Sequence, residues 1–192
     1  MLYTRKGDSG TTKDFKSGPG ERKSKSSCQT EALGASDELN SFLGLVKVKA
    51  ADASWTVHDS PESQDSTSPA DIVAWAQESL FSIQAELAGA DKRVGQDKVT
   101  KMEGWIDAAE REMPPIKTFF ISGGTELAAM LDVSRTLARK LERRTVTGIE
   151  AGEFKLDPAT QAFLNRLSSL FYAMARLTNH KSGITERPPS YR

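Results

Sequence analysis

The sequence predicts an all-α protein, a five-helix bundle folded as one domain over residues 1–192. Three observations carry that expectation. Five stretches repeat their apolar residues at the 3.6-residue period of a helix, and no stretch alternates apolar and polar residues as a half-buried strand does. No internal repeat is visible. The hydrophobic fraction, 38% of 192 residues, is low but supplies one sizeable core.

The chain opens with a segment that cannot belong to that core. "LYTRKGDSGTT", residues 2–12, is almost free of apolar side chains, and its glycines, with Arg5 and Lys6, can gather backbone N–H groups and charge around an anion. A phosphate ligand and a disordered, solvated tail stay equally open for it. "DFKSGPGERKSKSS" (14–27) continues as a basic loop.

The first helix is expected at about 36–51, where Leu39, Phe42, Leu43 and Val46 share a face and Ser36 or Asp37 supplies an N-cap. "DASWTVHDSPESQDSTSP" (52–69) has no amphipathic period and reads as a surface insertion without chemistry. A second helix at about 70–90 carries Ile72, Val73, Trp75, Ala76, Leu80, Ile83 and Leu87 on one arc. The third, about 96–112, is anchored by Val99, Met102, Trp105, Ile106 and Ala109 and stopped by Pro114 and Pro115. "PPIKTFFISGGTE" (114–126) then breaks the period and strands Phe119, Phe120 and Ile121 on a connector, where apolar residues need something to cover them. A fourth helix is expected at about 125–148 and a fifth at about 157–180, the latter opened by the cap Asp157 and the first-turn proline Pro158.

Charge narrows the function. The 26 basic and 26 acidic residues cancel, so no global field draws the protein to nucleic acid or membrane, and neither is expected as a partner. The distribution is uneven, however. Seven of the first 25 residues are Lys or Arg, residues 135–144 hold five more, and residues 50–91 hold none, which points to a local basic site. Cys28, the sole cysteine, excludes an internal disulfide and suits a reducing compartment; its expected role is that of a small hydrophobe. His58 and His180 have no partner at zinc spacing. No apolar run approaches 18 residues and the start lacks a signal-peptide pattern, so a cytoplasmic protein is expected; a mitochondrial-matrix protein whose presequence has been removed fits as well.

The two last helices carry the candidate chemistry. On the fourth, Leu127, Met130, Leu131, Ser134, Leu137, Ala138 and Leu141 fill an apolar arc, whereas Arg135, Arg139, Glu142 and Arg143 fall together on another. Three guanidiniums within two turns repel one another unless water, carboxylates or a polyanion neutralise them, and arginine suits bidentate phosphate recognition. A solvated charged face and a phosphate site both satisfy this pattern. On the fifth helix Asn165, Ser169, Tyr172 and Arg176 form a polar stripe beside a core arc from Phe163 to Ala175. Asn is a weak helix former, so a hydrogen-bonding task for Asn165 is plausible.

Four blocks, "YTRKGDSGTT", "EALGASDELNSFLG", "FFISGGTELAAMLDVSRTLARKLERR" and "FLNRLSSLFYAMAR", in that order, resemble the signature blocks of the PduO-type ATP:cob(I)alamin adenosyltransferases. They reach from residue 3 to about 176. The resemblance implies a homotrimer of five-helix bundles with active sites between subunits, where Co(I) of reduced cobalamin attacks the ribose 5′ carbon of ATP and expels triphosphate. Mg²⁺ is implied as cofactor, held mainly through ATP, with Glu142 as the one possible protein contact. A cobalamin reductase and an adenosylcobalamin-dependent client enzyme are implied partners.

Residue by residue, the resemblance places Thr4, Arg5, Lys6, Gly7, Thr12, Lys13 and Lys25 around the nucleotide, with residues 1–30 wrapping it from a disordered free state. Arg139, Lys140, Glu142, Arg143 and Asn165 match the helical part of the ATP site. Arg135 and Arg139 match catalytic arginines, and Asp37 matches a carboxylate that pairs with the Arg135 position across the subunit boundary. Phe119 matches the aromatic residue below the corrin, which keeps water and the dimethylbenzimidazole tail off cobalt.

Four positions depart from that pattern: Ser122 stands where proline is common, Asp132 for histidine, Lys140 for arginine, and Ser169 for an aspartate. With Ser169 lacking the carboxylate, either Asp132 takes over the holding of Arg135 or Arg139, or that network is weakened and turnover slows. Two other functions fit the same residues, a nucleotide-using transferase with another acceptor and a non-catalytic carrier that delivers ATP or cobalamin to a client.

Overall fold

Four of the five helices begin where a side chain takes up their free N–H groups. The computed structural model describes residues 3–58 and 65–191. Helix α1 (Cys28–Ala50) starts at Ser27, which accepts from the Thr30 N–H; α2 (Pro69–Leu87) at Ser68, which accepts from Asp71; α4 (Glu126–Glu150) at Thr125, which accepts from Ala128; and α5 (Pro158–Lys181) at Asp157, which accepts from Ala159. Only α3 (Gln96–Arg111) lacks such a cap, beginning at Gly95.

The apolar arcs meet as their period requires. Helix α1 packs on α2 and α4, α4 on α5, and α5 on α3. Leu39, Leu43, Leu80, Ile83, Leu131, Leu141, Phe163 and Phe171 are wholly buried, each contributing roughly 1.5–3 kcal/mol of transfer free energy. Trp75 of α2 meets Trp105 of α3 edge to face at 4.9 Å and Phe163 of α5 at 5.5 Å, which ties α2 to α3 and α5. Helices α1 and α4 run antiparallel, tied by the pairs Glu31–Arg144 (3.6 Å), Glu38–Lys140 (2.5 Å) and Lys49–Glu126 (3.0 Å). The turn after α4 is tight: Phe154 folds back onto Gly148, where an added Cβ lies 2.2 Å from the ring. Among the described residues no helix is long and apolar enough to cross a membrane.

Three expectations need correction. The first helix begins eight residues before position 36, so neither Ser36 nor Asp37 is its cap; Ser36 is buried and Asp37 lies exposed in mid-helix. The earlier start is stabilised from afar, since the Glu153 carboxylate accepts from the Cys28 N–H (3.2 Å) and the Gln29 N–H (3.0 Å). The stretch 52–69, of which 59–64 lie outside the described residues, is not mere surface. Its strands β3 (Val57–His58) and β4 (Ser66–Thr67) pair antiparallel, and Trp55 and Val57 are buried.

The N-terminal segment also has a shape of its own rather than that of a disordered tail. Strands β1 (Thr11–Thr12) and β2 (Lys23–Ser24) pair antiparallel, and the Arg22 guanidinium donates to Thr11 Oγ1 (2.6 Å) and to the Thr11 carbonyl (2.8 Å). The hairpin is fastened to the bundle. Phe15 N–H donates to the Ala88 carbonyl (3.3 Å), and Lys23 binds both Asp14 (2.5 Å) and Gln29 Oε1 (2.5 Å). The Lys23 ammonium holds the Asp14 carboxyl well below the usual carboxylate range.

Candidate active site

The connector between α3 and α4 runs across the surface because Pro114 and Pro115 end one helix and Thr125 caps the next. Its side chains are not covered as core residues are: Phe119 is 77% exposed and Ile121 61%. The backbone beneath them is held instead. Ile121 N–H donates to the Arg187 carbonyl (2.9 Å), and Gly123 N–H donates to Asp132 Oδ2 (3.2 Å). Asn179 donates to the Gly123 carbonyl (2.8 Å) and accepts from the Thr125 N–H (3.0 Å). Gly123 and Gly124 have φ of 127° and 104°, and a Cβ on Gly124 falls 2.3 Å from Asn179 Oδ1, so both conformation and space demand glycine there.

Connector, α4 and α5 enclose a cleft of about 630 Å³. Phe119 and Phe120 line it from the connector, Asp132, Arg135 and Arg139 from α4, and Ser169 and Tyr172 from α5. Arg135 is half-buried, and its Nε is buried without a hydrogen-bond partner among the described residues. An orphaned donor of that kind costs about 1–3 kcal/mol unless an acceptor from outside the described residues meets it. Arg139 and Arg143 are exposed further along α4. Burial raises the Tyr172 pKa and keeps its phenol neutral.

The structure groups the sequence-derived residues unevenly. Phe119, Arg135 and Arg139 share the cleft. Glu142 accepts from Asn165 Nδ2 (2.8 Å), which joins α4 to α5 beside Arg139, while Arg166 binds Asn165 (2.6 Å) and Glu103 (3.1 Å). Lys140 instead reaches Glu38 on α1. Asp37 has no bond to Arg135 within the protomer's described residues. The N-terminal set forms a separate cluster: Lys25 Nζ donates to the Gly7 carbonyl (3.0 Å) over a position where even a Cβ crowds it, Thr12 sits in β1, Arg5 stacks on Tyr3 at 5.4 Å, and Thr4 Oγ1 accepts from the Lys6 N–H (3.4 Å). Lys13 is exposed beside them. No bond links this cluster to the α4 arginines among the described residues.

Two residues behave otherwise than their sequence positions suggest. Arg176, expected on the polar stripe of α5, is 2% exposed and pairs with Asp132 (2.8 Å) and Glu186 (2.7 Å). Asp132 therefore holds Arg176 and the connector, not Arg135 or Arg139. By helical period Asp132 falls on the arginine arc of α4, so nothing in the sequence marked it as the partner of a buried cation, and Asn179 and Glu186 gave no signal either.

Comparison with known proteins matches this architecture. Residues 2–178 match the family described as Cobalamin adenosyltransferase. The corrinoid adenosyltransferase of Bacillus subtilis (strain 168) is 35% identical over 187 residues, covering 95% of this chain and 89% of that protein. The corrinoid adenosyltransferase PduO of Salmonella typhimurium is 34% identical over 182 residues, covering 91% of this chain and 48% of that protein, so the chain spans about half of that relative's length. Among solved structures, a variant PduO-type ATP:corrinoid adenosyltransferase from Lactobacillus reuteri complexed with cobalamin and ATP superposes with a TM-score of 0.82 at 26% identity, covering 99% of each chain. The match thus runs along nearly the whole chain, which belongs to the cobalamin adenosyltransferase family, PduO type.

Proposed function

We propose that the protein transfers the 5′-deoxyadenosyl group of ATP to the Co(I) of a reduced corrinoid, cob(I)alamin, and releases triphosphate. The observation that carries this reading is the cleft in which Phe119 on the connector and Arg135 and Arg139 on α4 line one space. Cobalt supplies the electron pair, the Co–C5′ bond forms as the C5′–O bond breaks, and that bond's electrons leave with the triphosphate. The leaving group is a polyanion, so positioned cations do the work that a general acid does elsewhere. Arg139 and Arg143 project from the exposed face of α4 for that task, and Glu142, fixed by Asn165, orients them or the ribose. Phe119 offers a ring without a donor atom, so under a corrin it excludes water from the lower axial position of cobalt.

The site is completed by a neighbouring copy in a homotrimer. Arg135 Nε has no acceptor among the described residues of its own protomer and Asp37 is exposed, which fits pairing of the two across a subunit boundary. Residues 1–30, with Thr4, Arg5, Lys6, Gly7, Thr12, Lys13 and Lys25, then wrap the triphosphate of a site whose arginines belong to the other chain. Among the described residues no three His, Cys, Asp or Glu side chains converge. Mg²⁺ would be carried mainly by phosphate oxygens, with Glu142 as a single protein oxygen, and would supply charge neutralisation on the triphosphate. A reductase must deliver the Co(I) state, and an enzyme requiring adenosylcobalamin consumes the product.

Mixing cob(I)alamin, ATP and Mg²⁺ with the protein should give the adenosylated spectrum and stoichiometric triphosphate; a spectral shift without turnover would replace this reading by that of a carrier. The shared site has its own test. A chain lacking residues 2–12 and an Arg139→Ala chain, each nearly inactive alone, should recover turnover when refolded together. No recovery in mixed trimers would place the whole site in one protomer.

A further inference from the structure

Arg176 and the segment after α5 have no place in the chemistry above, yet they form a buried, multiply bonded polar cluster. The Arg176 guanidinium lies between Asp132 Oδ2 (2.8 Å) and Glu186 Oε1 (2.7 Å), with the Tyr172 ring 5.1 Å from its carbon. Both carboxylates have further duties. Asp132 Oδ2 also accepts from the Gly123 N–H (3.2 Å), and Glu186 Oε1 also accepts from Asn179 Nδ2 (2.7 Å), the side chain that clasps Gly123 and Thr125. Next to Glu186, the Arg187 carbonyl accepts from the Ile121 N–H (2.9 Å).

A buried ion cluster is a poor way to gain stability, since desolvation offsets its attraction and apolar side chains of similar size do as well. What it supplies is a fixed arrangement. Phe119 needs one from outside itself, because its ring is 77% exposed and no packing of its own locates it. The bonds that locate it are those of the backbone two to six residues further on, and each ends on Asp132, Asn179 or the segment at 186–187. Asp132 and Tyr172 belong at the same time to the cleft wall that carries Arg135 and Arg139. The cluster thus joins the floor of the cleft to its cationic wall through one guanidinium.

We propose that Arg176, with Asp132, Asn179 and Glu186, is a positioning device for the reaction: it sets the height of the Phe119 connector against the α4 arginines and makes the chain after α5 a working part of the site. The proposal rests on the adenosyltransferase reading. Glu186 is the member to change first, because it lies at the edge of the cluster and its loss leaves the Asp132–Arg176 pair intact. In Glu186→Ala, hydrogen exchange at the amides of Ile121, Gly123 and Thr125 should quicken at least about tenfold while the α1 and α2 amides stay as they were. With saturating substrates kcat should fall about tenfold, KM for ATP should hold, and the four-coordinate signal of cob(II)alamin bound with ATP should weaken. Glu186→Gln keeps an oxygen for Asn179 and Arg176 and should restore most of each property. Truncation before Arg187 removes the acceptor of Ile121 N–H from an exposed stretch, so it gives the same readings if Glu186→Ala does not fold. Unchanged connector exchange, or quickened exchange with normal kcat and normal signal, would overturn the positioning role. A wild-type protein that fails to adenosylate would overturn the underlying reading, and the positioning role with it.

Discussion

Arg176 and Arg139 sit on neighbouring helices, border the same region, and have opposite surroundings. Arg176 is 2% exposed and bonded to two carboxylates beside a ring, although its Nε has no partner among the described residues. Arg139 is exposed on the cleft wall, with Glu142 one turn on already turned toward Asn165. The difference teaches how a helix pair divides its cations. Those whose charge is met within the fold fix geometry, and those left unmet are available to a polyanion. Residue type alone does not separate them; what does is whether an acceptor arrives from elsewhere in the chain.

The sharpest break of this contrast is Arg176→Met. It strands Asp132 and Glu186 without their counter-charge in a buried setting, and losing one partner of a buried pair costs about 3–5 kcal/mol. Urea unfolding should register a loss of that size, and a change below about 1 kcal/mol would show that the cluster is solvated in solution. Arg139→Ala should do the reverse. Unfolding should stay within about 0.5 kcal/mol of wild type because the side chain is exposed. Loss of one charge-assisted phosphate contact should remove about 1.5–3 kcal/mol of transition-state stabilisation, roughly ten- to a hundredfold in rate. Single-turnover kinetics at saturating ATP would expose an error, since a normal rate there removes Arg139 from the site.

Acid offers the mildest probe, on a third kind of ion pair. Asp14 is held below the ordinary carboxylate range chiefly by Lys23, so its folded pKa lies under its unfolded one. The resulting stability is complete above the unfolded value near 4 and is lost as pH falls through the folded value. Between pH 7 and pH 5 the N-terminal hairpin should therefore hold. Below about pH 4 the exchange of amides around Thr11 and Lys23 should quicken before the helices respond. Loosening of the hairpin at pH 5 to 6 would mean that Asp14 does not fasten it.

Much of this was legible in the sequence where the signal is local. The 3.6-residue period placed α2 to α5 within three residues of their ends, and the same period put Arg139 and Arg143 on an outward arc, where they are found. The start of α1 was missed although Ser27 is a local cap, because the next two N–H groups, of Cys28 and Gln29, are met by Glu153, 125 residues away from Cys28. The paired strands at Val57–His58 and Ser66–Thr67 were hidden because two residues show no alternation. Arg176 was misread as stripe because its partners come from α4 and from the chain past α5, and a helical wheel contains neither. Phe119 was the opposite case. An apolar residue on a connector suggested burial, and its exposure is the stronger pointer to a substrate.

The Glu153 carboxylate that caps α1 has one more effect. It pushes the Cys28 thiol's pKa up, so at neutral pH that sulfur carries its proton. Thiolates, not thiols, capture metal ions and react with oxidants. A protein proposed to handle cobalt with an open axial position therefore carries a single thiol, and keeps it protonated. The same contact that helps to start a helix thus also holds the neighbouring thiol in its protonated form.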